Sequence, residues 1–521
     1  MTNFSVEERI NYYLCKLKNF EMEGMLFSRV MDSVLESIGM YSDRSAFYIA
    51  DKAYSYEEFG KCISKIRLSI RNCGCSSSNI GIVLNDDLET YSSIFAIWLE
   101  NKAYVPLHPH WPNDRCQDII EQVGLDVILD SSKESDLECN CLVIGTGKLE
   151  NELELGSNDF YVNDNDLAYI LFTSGSTGKP KGVPISKGNV AAFVDSFYDI
   201  GFEITCEDSV LQCFDLTFDL SVMSYLIPLT RGACVYTVPD NVVKYTYIYD
   251  LMDEHNLTVA LMVPSIINYL KPYFDEIDIP SMRYSLFCGE ALYEDVTASW
   301  AKCLPNAEIY NVYGPTEDTI FCTYYKYQRE GGNKTYNGIL SIGKTMSSGS
   351  VKVLDEYGRD AKVGEAGELC LYGNQLFGGY WKDKEKTESA FVVSDDGKRY
   401  YKTGDLCYAD ADGDIMYVGR MDSQAKIQGF RVELGEIEFH ARDFFKDRNV
   451  VCVAYENESK LTEIAMFIES DEVPTDDLMS YLREKLPSYM IPSMVLFKQV
   501  FPLNANGKTD RKELKKMLNG R

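Results

Sequence analysis

The sequence predicts an α/β protein with a large N-terminal domain of doubly wound αβ layers, a small β subdomain and a smaller α+β C-terminal domain. Short apolar runs alternate with amphipathic stretches from about residue 80 to residue 320, a rhythm typical of mainly parallel sheets covered by helices. After Gly338 the pattern changes to strand-like segments separated by Gly and Asp turns. The length of 521 residues also exceeds that of one ordinary domain.

Local patterns place the individual elements. Strands are predicted at 80–84, 167–172, 210–214, 234–238, 259–263, 285–288, 309–312, 350–354 and 368–372. Helices are predicted at 88–99 and 190–197, the second capped by Ser186, and a basic helix at 511–518. The segment 419–422 lies between two glycine-rich blocks and is the candidate hinge. It divides the chain into residues 1–421 and 422–521.

Composition excludes several function classes. The net charge of −29 disfavours nucleic acid and anionic membranes as partners. The first thirteen residues lack the apolar run of a signal peptide, and no stretch approaches the roughly 18 apolar residues of a membrane-spanning helix. Sixteen scattered cysteines predict reduced thiols in a cytoplasmic protein. Four histidines make a His-centred hydrolase a poor candidate.

The strongest motif is TSGSTGKPKG at residues 173–182. It follows a predicted strand, so its backbone N–H groups and hydroxyls can surround an oligophosphate while Lys179 and Lys181 add positive charge. It is not a Walker loop, because only Ser176 and Thr177 separate Gly175 from Gly178 and Pro180 interrupts the helix that would follow. The segment therefore predicts a different class of nucleotide site.

Further blocks follow this loop or precede it in a fixed order: AYVPL at 103–107, NVYGPTE at 311–317, GEL at 367–369, GGY at 378–380, YKTGD at 401–405, GRMD at 419–422, KIQGFR at 426–431 and NANGKTD at 504–510. Together with TSGSTGKPKG, they make the chain resemble the adenylate-forming superfamily, which includes amino-acid adenylation domains, acyl-CoA synthetases and luciferase-type enzymes. The resemblance covers roughly residues 45 to 515. It implies ATP and Mg²⁺ as cofactors and a C-terminal domain that moves.

The resemblance also implies roles for the matching residues. The ATP site would contain Thr173, Ser174, Ser176, Thr177, Lys181, Gly289, Glu290, Ala291, Asn311, Tyr313, Thr316, Asp405 and Arg420. The hydroxyls of the loop would hold the β- and γ-phosphates, and Tyr313 would stack on adenine. Asp405 would accept the ribose hydroxyls. Glu317 would coordinate magnesium, a cation that prefers carboxylate oxygen.

Two residues are expected to serve the alternation between half-reactions. Lys508 would be the mobile catalytic lysine, whose charge stabilises the transition state in which a carboxylate attacks the α-phosphate. Asp422 would be the hinge about which the C-terminal unit rotates.

The segment FDLTFDLS at 214–221 indicates the substrate class. By resemblance to the amino-acid-activating branch, Asp219 would bind the substrate ammonium. Asp215 does not match the position of the aspartate in that branch. The mapped substrate pocket contains Leu220, Met223, Leu286, Cys288, Val312, Ile320 and Phe321. Because none of these is charged, we expect a small neutral amino acid. The strings FDLSVM and LFCGE resemble those of D-alanine–carrier-protein ligases. The sequence does not decide whether the amino acid has the D or the L configuration.

The acyl acceptor is expected to be the phosphopantetheine thiol of a separate carrier protein, since no carrier block follows Lys508 and no condensation motif HHxxxDG occurs. Coenzyme A is the alternative acceptor. An acyl- or aryl-CoA ligase is the competing enzyme class, and Asp219 argues against it. A nucleotide-binding module without catalysis is opposed by Lys508 and Glu317. His108 departs from the Asp common in relatives and is expected to be a surface-loop residue.

Overall fold

A computed structural model describes residues 26–132, 137–153, 162–175, 179–422, 424–446, 448–503 and 509–518. Within these ranges the chain forms two large mixed sheets, a small antiparallel β subdomain and a C-terminal α+β unit. The predicted fold class is therefore confirmed. Leu88–Leu99 matches the helix predicted at 88–99. Ser186 caps Lys187–Asp199 in a reciprocal arrangement with Asn189, as its position before the apolar repeat predicts.

The first large sheet carries the glycine-rich loop. In spatial order, its described strands are Leu142–Gly145, Val127–Asp130, Asn79–Val83, Ala103–Leu107, Leu167–Thr173 and Lys181–Ser186. All pair in parallel except the last, which runs antiparallel to Leu167–Thr173. The chain turns back at the carboxyl edge of the parallel strands, the edge at which open α/β sheets bind ligands.

The second large sheet carries the blocks from residue 209 to residue 345. In spatial order, its described strands are Lys344–Thr345, Thr323–Lys326, Glu308–Tyr313, Tyr284–Phe287, Val259–Met262, Ser209–Gln212, Cys234–Thr237, Ser45–Ile49 and Lys52–Ser55. The central strands are parallel and the edges antiparallel.

Helices fill the space between and around the sheets. Those described here are Leu26–Met40, Tyr56–Asn72, Leu88–Leu99, Asn113–Val123, Lys187–Asp199, Leu220–Leu229, Lys244–Glu254, Pro264–Leu270 and Glu294–Cys303. Every residue of Leu220–Leu229 is buried, as expected for a helix that is apolar on all sides. One continuous apolar cluster joins this helix and Trp98 to strands of both sheets. The residue that starts this helix, Asp219, is therefore held by a rigid core.

The β subdomain follows residue 348. Its described strands are Gly349–Leu354, Gly367–Gly373, Phe391–Val393, Arg399–Ala409 and Ile415–Arg420, with the helix Lys384–Ser389 and a nearby short pair Thr335–Tyr336 and Ile339–Leu340. Strand register sets Asp405 opposite Arg420. Two predicted nucleotide-site residues are thus placed side by side by sheet pairing.

The C-terminal unit begins with a hairpin. Its described elements are the strands Gln424–Ile427, Phe430–Glu433, Val450–Glu456, Thr462–Glu469 and Met494–Lys498 and the helices Leu434–Phe445, Asp476–Lys485 and Arg511–Lys516. Two apolar clusters of this unit draw their buried members from residues 425–518. Asp422 lies between the last strand of the β subdomain and the first strand of this hairpin.

The cysteines among the described residues are free thiols. In the same ranges, no helix combines the length and the apolar character that crossing a bilayer requires.

Candidate active site

The predicted site residues that the structure describes converge where the carboxyl edges of the two large sheets meet the β subdomain. Three of the predicted residues lie outside the described residues: Ser176, Thr177 and Lys508. The others border two adjoining cavities, of about 530 Å³ and about 60 Å³, or lie in the walls behind them. Residues 424–426 of the C-terminal hairpin line both cavities.

The glycine-rich loop leaves the strand Leu167–Thr173 with its polar groups buried. The Oγ1 atom of Thr173 is buried and has no hydrogen-bond partner among the described residues. A Cβ atom on Gly175 would lie 2.0 Å from the carbonyl oxygen of Lys179, so that this position requires glycine. A buried hydroxyl without a partner beside a tight glycine turn is suited to a polar ligand such as a phosphate.

The C-terminal unit reaches into this loop. Ser174 Oγ donates to the carbonyl oxygen of Arg431 at 2.8 Å and accepts from the N–H of Glu433 at 2.9 Å. The N–H of Gly175 donates to Glu436 Oε2 at 3.0 Å. Groups expected to hold phosphate are therefore engaged by C-terminal residues in this orientation.

Glu317 is the most enclosed carboxylate of the site, with no exposed surface. Its Oε2 lies 2.7 Å from Arg431 Nη1, and its Oε1 accepts from the hydroxyl of Tyr380 at 2.8 Å and lies 3.5 Å from Lys181 Nζ. Burial favours the protonated acid, but Arg431 and Lys181 hold the pKa of Glu317 well below its usual range. Burial and the nearby Arg431 lower the pKa of Lys181 to about 8.

These residues fit a magnesium ion chemically. Mg²⁺ is usually bound by one or two carboxylates together with substrate phosphates, and Glu317 supplies a carboxylate beside the phosphate loop. Such an ion would neutralise phosphate charge at Glu317. In the orientation described, Arg431 already pairs with Oε2 of this carboxylate.

Residues predicted to bind the nucleoside line the larger cavity. Its walls include Gly289, Glu290, Ala291, Asn311, Tyr313 and Arg420. Asp405 is buried, with Oδ1 3.0 Å from Arg420 Nη1 and Oδ2 accepting from the hydroxyl of Tyr313. Lys426 Nζ lies 5.4 Å from the centre of the Tyr313 ring. Asn311 donates to two backbone carbonyls, those of Leu340 and Ser341. The two oxygens expected to accept ribose hydroxyls thus have protein donors in this state.

Asp219 borders the smaller cavity together with Thr316. The residue is only 4% exposed, and its Oδ2 accepts from the N–H of Ile320 at 2.9 Å. Thr319 and Ile320 both have positive φ angles, 50° and 76°, which β-branched residues rarely adopt. This strained turn aims the Ile320 N–H at the carboxylate. Burial raises the pKa of Asp219 to about 7, which indicates a carboxylate without full compensation for its charge.

The apolar residues predicted around Asp219 are all buried. They are Leu220, Met223, Leu286, Cys288, Val312, Ile320 and Phe321, and they belong to the same core cluster. Burial raises the pKa of the Cys288 thiol to about 12, so that it acts as a small apolar side chain. Of these residues, Leu220 and Cys288 line the cavity of about 60 Å³ beside Asp219.

The expectation for His108 is wrong. Its side chain is 14% exposed, and its Nε2 lies 3.1 Å from Asp215 Oδ2. Burial opposes the charged imidazole, but the hydrogen bond and charge of Asp215 raise the pKa of His108 overall. The loop after the strand Ala103–Leu107 folds beneath the turn that contains Asp215, and a simple loop pattern gives no sign of this. The pairing of Asp215 with His108 agrees with the expectation that Asp215 does not bind the substrate ammonium.

Sequence reasoning also missed the contacts that seat the C-terminal unit. Arg115 Nη1 lies 2.8 Å from Glu436 Oε1, with both side chains almost fully buried. Glu290 accepts from the N–H groups of Gly429 and Ser265 at 2.9 and 2.8 Å. An Arg and a Glu separated by 321 positions give no local signal of contact.

The predicted hinge residue lies in a short link between strands. Asp422 Oδ1 accepts from Arg420 Nε and from the N–H of Gln424, each at 3.0 Å. Its side chain is 42% exposed. The link is thus tied down by its own side chain and lies at the surface, and the role of Asp422 as the pivot stays a prediction.

Comparison with known proteins agrees with this geometry. The family model described as AMP-binding enzyme matches residues 35–381. Tyrocidine synthase 3 of Brevibacillus parabrevis is 31% identical over 92% of the chain, and bacitracin synthase 2 of Bacillus licheniformis is 31% identical over 91%. The chain spans only 7% and 18% of the lengths of these two relatives.

Two solved structures are similar over nearly the whole chain. The Vibrio cholerae adenylation domain AlmE, in complex with glycyl-adenosine-5′-phosphate, gives a TM-score of 0.86 at 27% identity and covers 96% of this chain and 99% of its own. The four-domain nonribosomal peptide synthetase AB3403, bound to AMP and glycine, gives 0.69 at 28% identity and covers 94% of this chain and 36% of its own.

We predict that Arg115→Met loosens the C-terminal unit, because Glu436 is then left buried without its cation. Loss of one partner of a buried pair costs about 3–5 kcal/mol. Hydrogen exchange of peptides covering 424–433 should accelerate accordingly. Lys485→Gln, which removes the exposed pair with Asp114, should have an effect below about 1 kcal/mol. Equal exchange in Arg115→Met and the unsubstituted protein would show that this pair does not hold the unit.

Proposed function

The chain belongs to the AMP-binding enzyme family, and we propose that it uses ATP to convert a small neutral amino acid of about the size of alanine into its acyl-AMP and then transfers the acyl group to the phosphopantetheine thiol of a separate carrier protein. The observation that carries this proposal is Asp219. A buried carboxylate with a raised pKa, beside a cavity of about 60 Å³, calls for a cationic ligand.

The substrate ammonium supplies the missing charge. An amino acid bound with its ammonium at Asp219 would direct its side chain toward the apolar walls that include Leu220 and Cys288. Thr316, Asp405 and Arg420 border the same cavity, so the acyl carboxylate and the α-phosphate can meet there. The similarity to AlmE, whose structure holds glycyl-adenosine-5′-phosphate, supports a small amino acid.

The first half-reaction joins the amino-acid carboxylate to the α-phosphorus and releases pyrophosphate. Residues of this chain would contribute mainly position and charge. Thr173, Ser174 and Lys181 would hold the phosphates, and Glu317 would hold the metal, once the C-terminal contacts to these groups have opened. Asp405 would exchange its protein donors for ribose hydroxyls. Lys508 would then approach the developing charge.

The second half-reaction transfers the acyl group from AMP to a thiol. The orientation of the C-terminal unit suits this step, because the turn at Gly429 lies against the site. A Cβ atom placed on Gly289 would lie 3.6 Å from Gly429 Cα. A separate carrier protein would deliver the thiol along this hairpin.

We predict that Asp219→Ala lowers kcat/KM for the preferred amino acid by about 10²–10³-fold, as expected when a buried ammonium loses its partner. The measurement is amino-acid-dependent exchange of pyrophosphate into ATP. The matched control is the corresponding acid without the amino group, for which the unsubstituted enzyme and the variant should have similar low activity. Full activity of the variant with its best amino acid would contradict the assignment.

The raised pKa of Asp219 predicts a pH dependence. Below about pH 7 the free enzyme carries a protonated Asp219, which cannot pair with an ammonium, so binding must first expel a proton. The value of kcat/KM should therefore fall about tenfold per pH unit below that point, mainly through a rise in KM. Asp219→Asn, which cannot titrate, should lack this slope. A profile that is flat from pH 5 to pH 7 in the unsubstituted enzyme would refute it.

We also predict that Lys508→Ala reduces acyl-AMP formation by about 10²–10³-fold, the range for loss of one transition-state donor. Transfer of a preformed acyl-AMP to the thiol should fall much less, because Lys508 is expected to act only in the first step. Both half-reactions are measured on one preparation, with Lys516→Ala, which removes an exposed pair with Glu513, as the control for loss of a C-terminal charge. Near-normal pyrophosphate exchange in Lys508→Ala would rule out this role.

A further inference from the structure

The turn that contacts Asp219 has a backbone conformation that its own side chains disfavour. Thr319 and Ile320 have φ angles of 50° and 76°, in the left-handed region that β-branched residues rarely adopt. The N–H of Ile320 donates to Asp219 Oδ2 at 2.9 Å, and the chain continues into Phe321. Strain of this kind persists only where surrounding contacts hold the backbone in place. A residue that holds this turn therefore controls the direction of the carboxylate and the position of two predicted pocket residues.

Gln375 holds the strained turn. It lies in the loop that follows the second strand of the β subdomain, and it is only 1% exposed. Its Nε2 donates to the carbonyl oxygens of Phe321 at 2.9 Å and Thr319 at 3.2 Å, and the carbonyl oxygen of Asp318 lies 3.4 Å away. Thr319 Oγ1 in turn donates to the carbonyl oxygen of Gln375 at 2.5 Å. One residue is therefore bonded to the backbone on both sides of Ile320.

Gln375 is itself held in a fixed orientation. Ser348 donates its hydroxyl to Gln375 Oε1, so that the amide nitrogen is the group that faces the turn. On either side of Gln375, the carbonyl oxygens of Asn374 and Leu376 accept from Asn189 Nδ2 at 2.7 and 3.1 Å. Asn189 lies in the first turn of a capped helix of the N-terminal domain. The loop that carries Gln375 is therefore attached to a rigid element.

Loss of this amide would release the turn. The carbonyl oxygens of Thr319 and Phe321 would each lose a buried donor, and buried polar groups are rarely left without a partner. The backbone would then be free to leave the left-handed region, and the N–H of Ile320 would no longer point at Asp219. Phe321 would shift with it, together with its edge-to-face contact with Phe193, whose ring centre lies 4.9 Å away.

We propose that Gln375 is a positioning residue that fixes the shape of the amino-acid pocket by holding the strained turn 319–321. It acts through Ile320, Phe321 and Asp219, and it thereby sets how strictly the enzyme discriminates between amino acids of different size. This inference rests on the proposed activation of a small amino acid, and it does not depend on the acyl acceptor.

The test compares Gln375→Met with the unsubstituted full chain, because methionine has a similar length and lacks the amide. Exchange of pyrophosphate into ATP is measured with alanine and with 2-aminobutyrate, which is longer by one methylene. The KM for alanine should rise about 10-fold, as for one lost hydrogen bond to a charged group, while the KM for ATP stays within about twofold. The preference for alanine, expressed as a ratio of kcat/KM values, should fall about 5–10-fold, within the range that one methylene commands in an apolar pocket.

Two further variants separate positioning from general destabilisation. Thr297→Val removes a buried hydrogen bond to the carbonyl oxygen of Tyr293 in the helix Glu294–Cys303, whose buried apolar residues belong to a different cluster from the pocket residues. It should leave the KM for alanine and the preference within about twofold, as expected for a distant, independent position. Ser348→Ala frees the amide of Gln375 without removing it and should raise the KM for alanine about threefold, with a smaller loss of preference.

Unchanged KM and preference in Gln375→Met overturn the inference, and so does an equal loss of preference in Thr297→Val. Should Gln375→Met fail to fold, Ser348→Ala decides the question, and values equal to those of the unsubstituted protein then overturn the inference. Exchange with alanine in the unsubstituted protein, together with unchanged kinetics in the Gln375 and Ser348 variants, refutes only this role of Gln375. Absence of exchange with any small amino acid refutes the proposed function and this inference with it.

Discussion

A carboxylate removed from water needs a cation, and this constraint organises the whole site. Glu317, Asp219 and Asp405 are all nearly inaccessible to solvent. Glu317 is paired with Arg431 and Lys181, and Asp405 with Arg420. Among the described residues, the hydrogen bonds to Asp219 come from backbone donors, and burial raises its pKa to about 7. The difference between these three environments supports the proposal that Glu317 and Asp405 are paired within the protein, whereas Asp219 binds the cationic group of a ligand.

The same constraint links the site to the orientation of the C-terminal unit. Arg431, Glu436 and the backbone of Glu433 meet Glu317, Gly175 and Ser174, which are groups that a metal-bound nucleotide would otherwise engage. In the proposed reaction, protein contacts and ligand contacts would therefore alternate at the same atoms. Because packed interfaces switch between discrete arrangements, exchange of a few buried polar partners can direct a rotation of the whole unit.

Much of the fold could be predicted from the sequence, because strand and helix periodicity are local properties. The helix Leu88–Leu99 and the capping Ser186 lie where their patterns predict. The motif residues Tyr313, Asp405 and Asp219 come to one site. Tyr313 ends a strand and Asp219 precedes a buried helix, whereas Asp405 lies within the strand Arg399–Ala409, where sheet register sets it opposite Arg420. The pattern alone did not indicate the strained turn at Ile320.

Contacts between distant residues could not be predicted. Arg115 and Glu436, and Arg431 and Glu317, meet only because of how two units pack, and no periodic pattern records that. His108 was misassigned for the same reason, as its partner Asp215 belongs to another loop. Motif residues predict the chemistry of such a site from sequence. The residues that hold the C-terminal unit against the site can be identified only from the three-dimensional structure.

The central claim is that Asp219 binds the substrate ammonium in a small apolar pocket. Substrate-dependent exchange of pyrophosphate into ATP, measured with a panel of D- and L-amino acids, aryl acids and fatty acids, tests it most directly. The account predicts exchange with small neutral amino acids, less with larger ones, and only background with acids that lack an α-amino group. Preferred use of an aryl or fatty acid would contradict it.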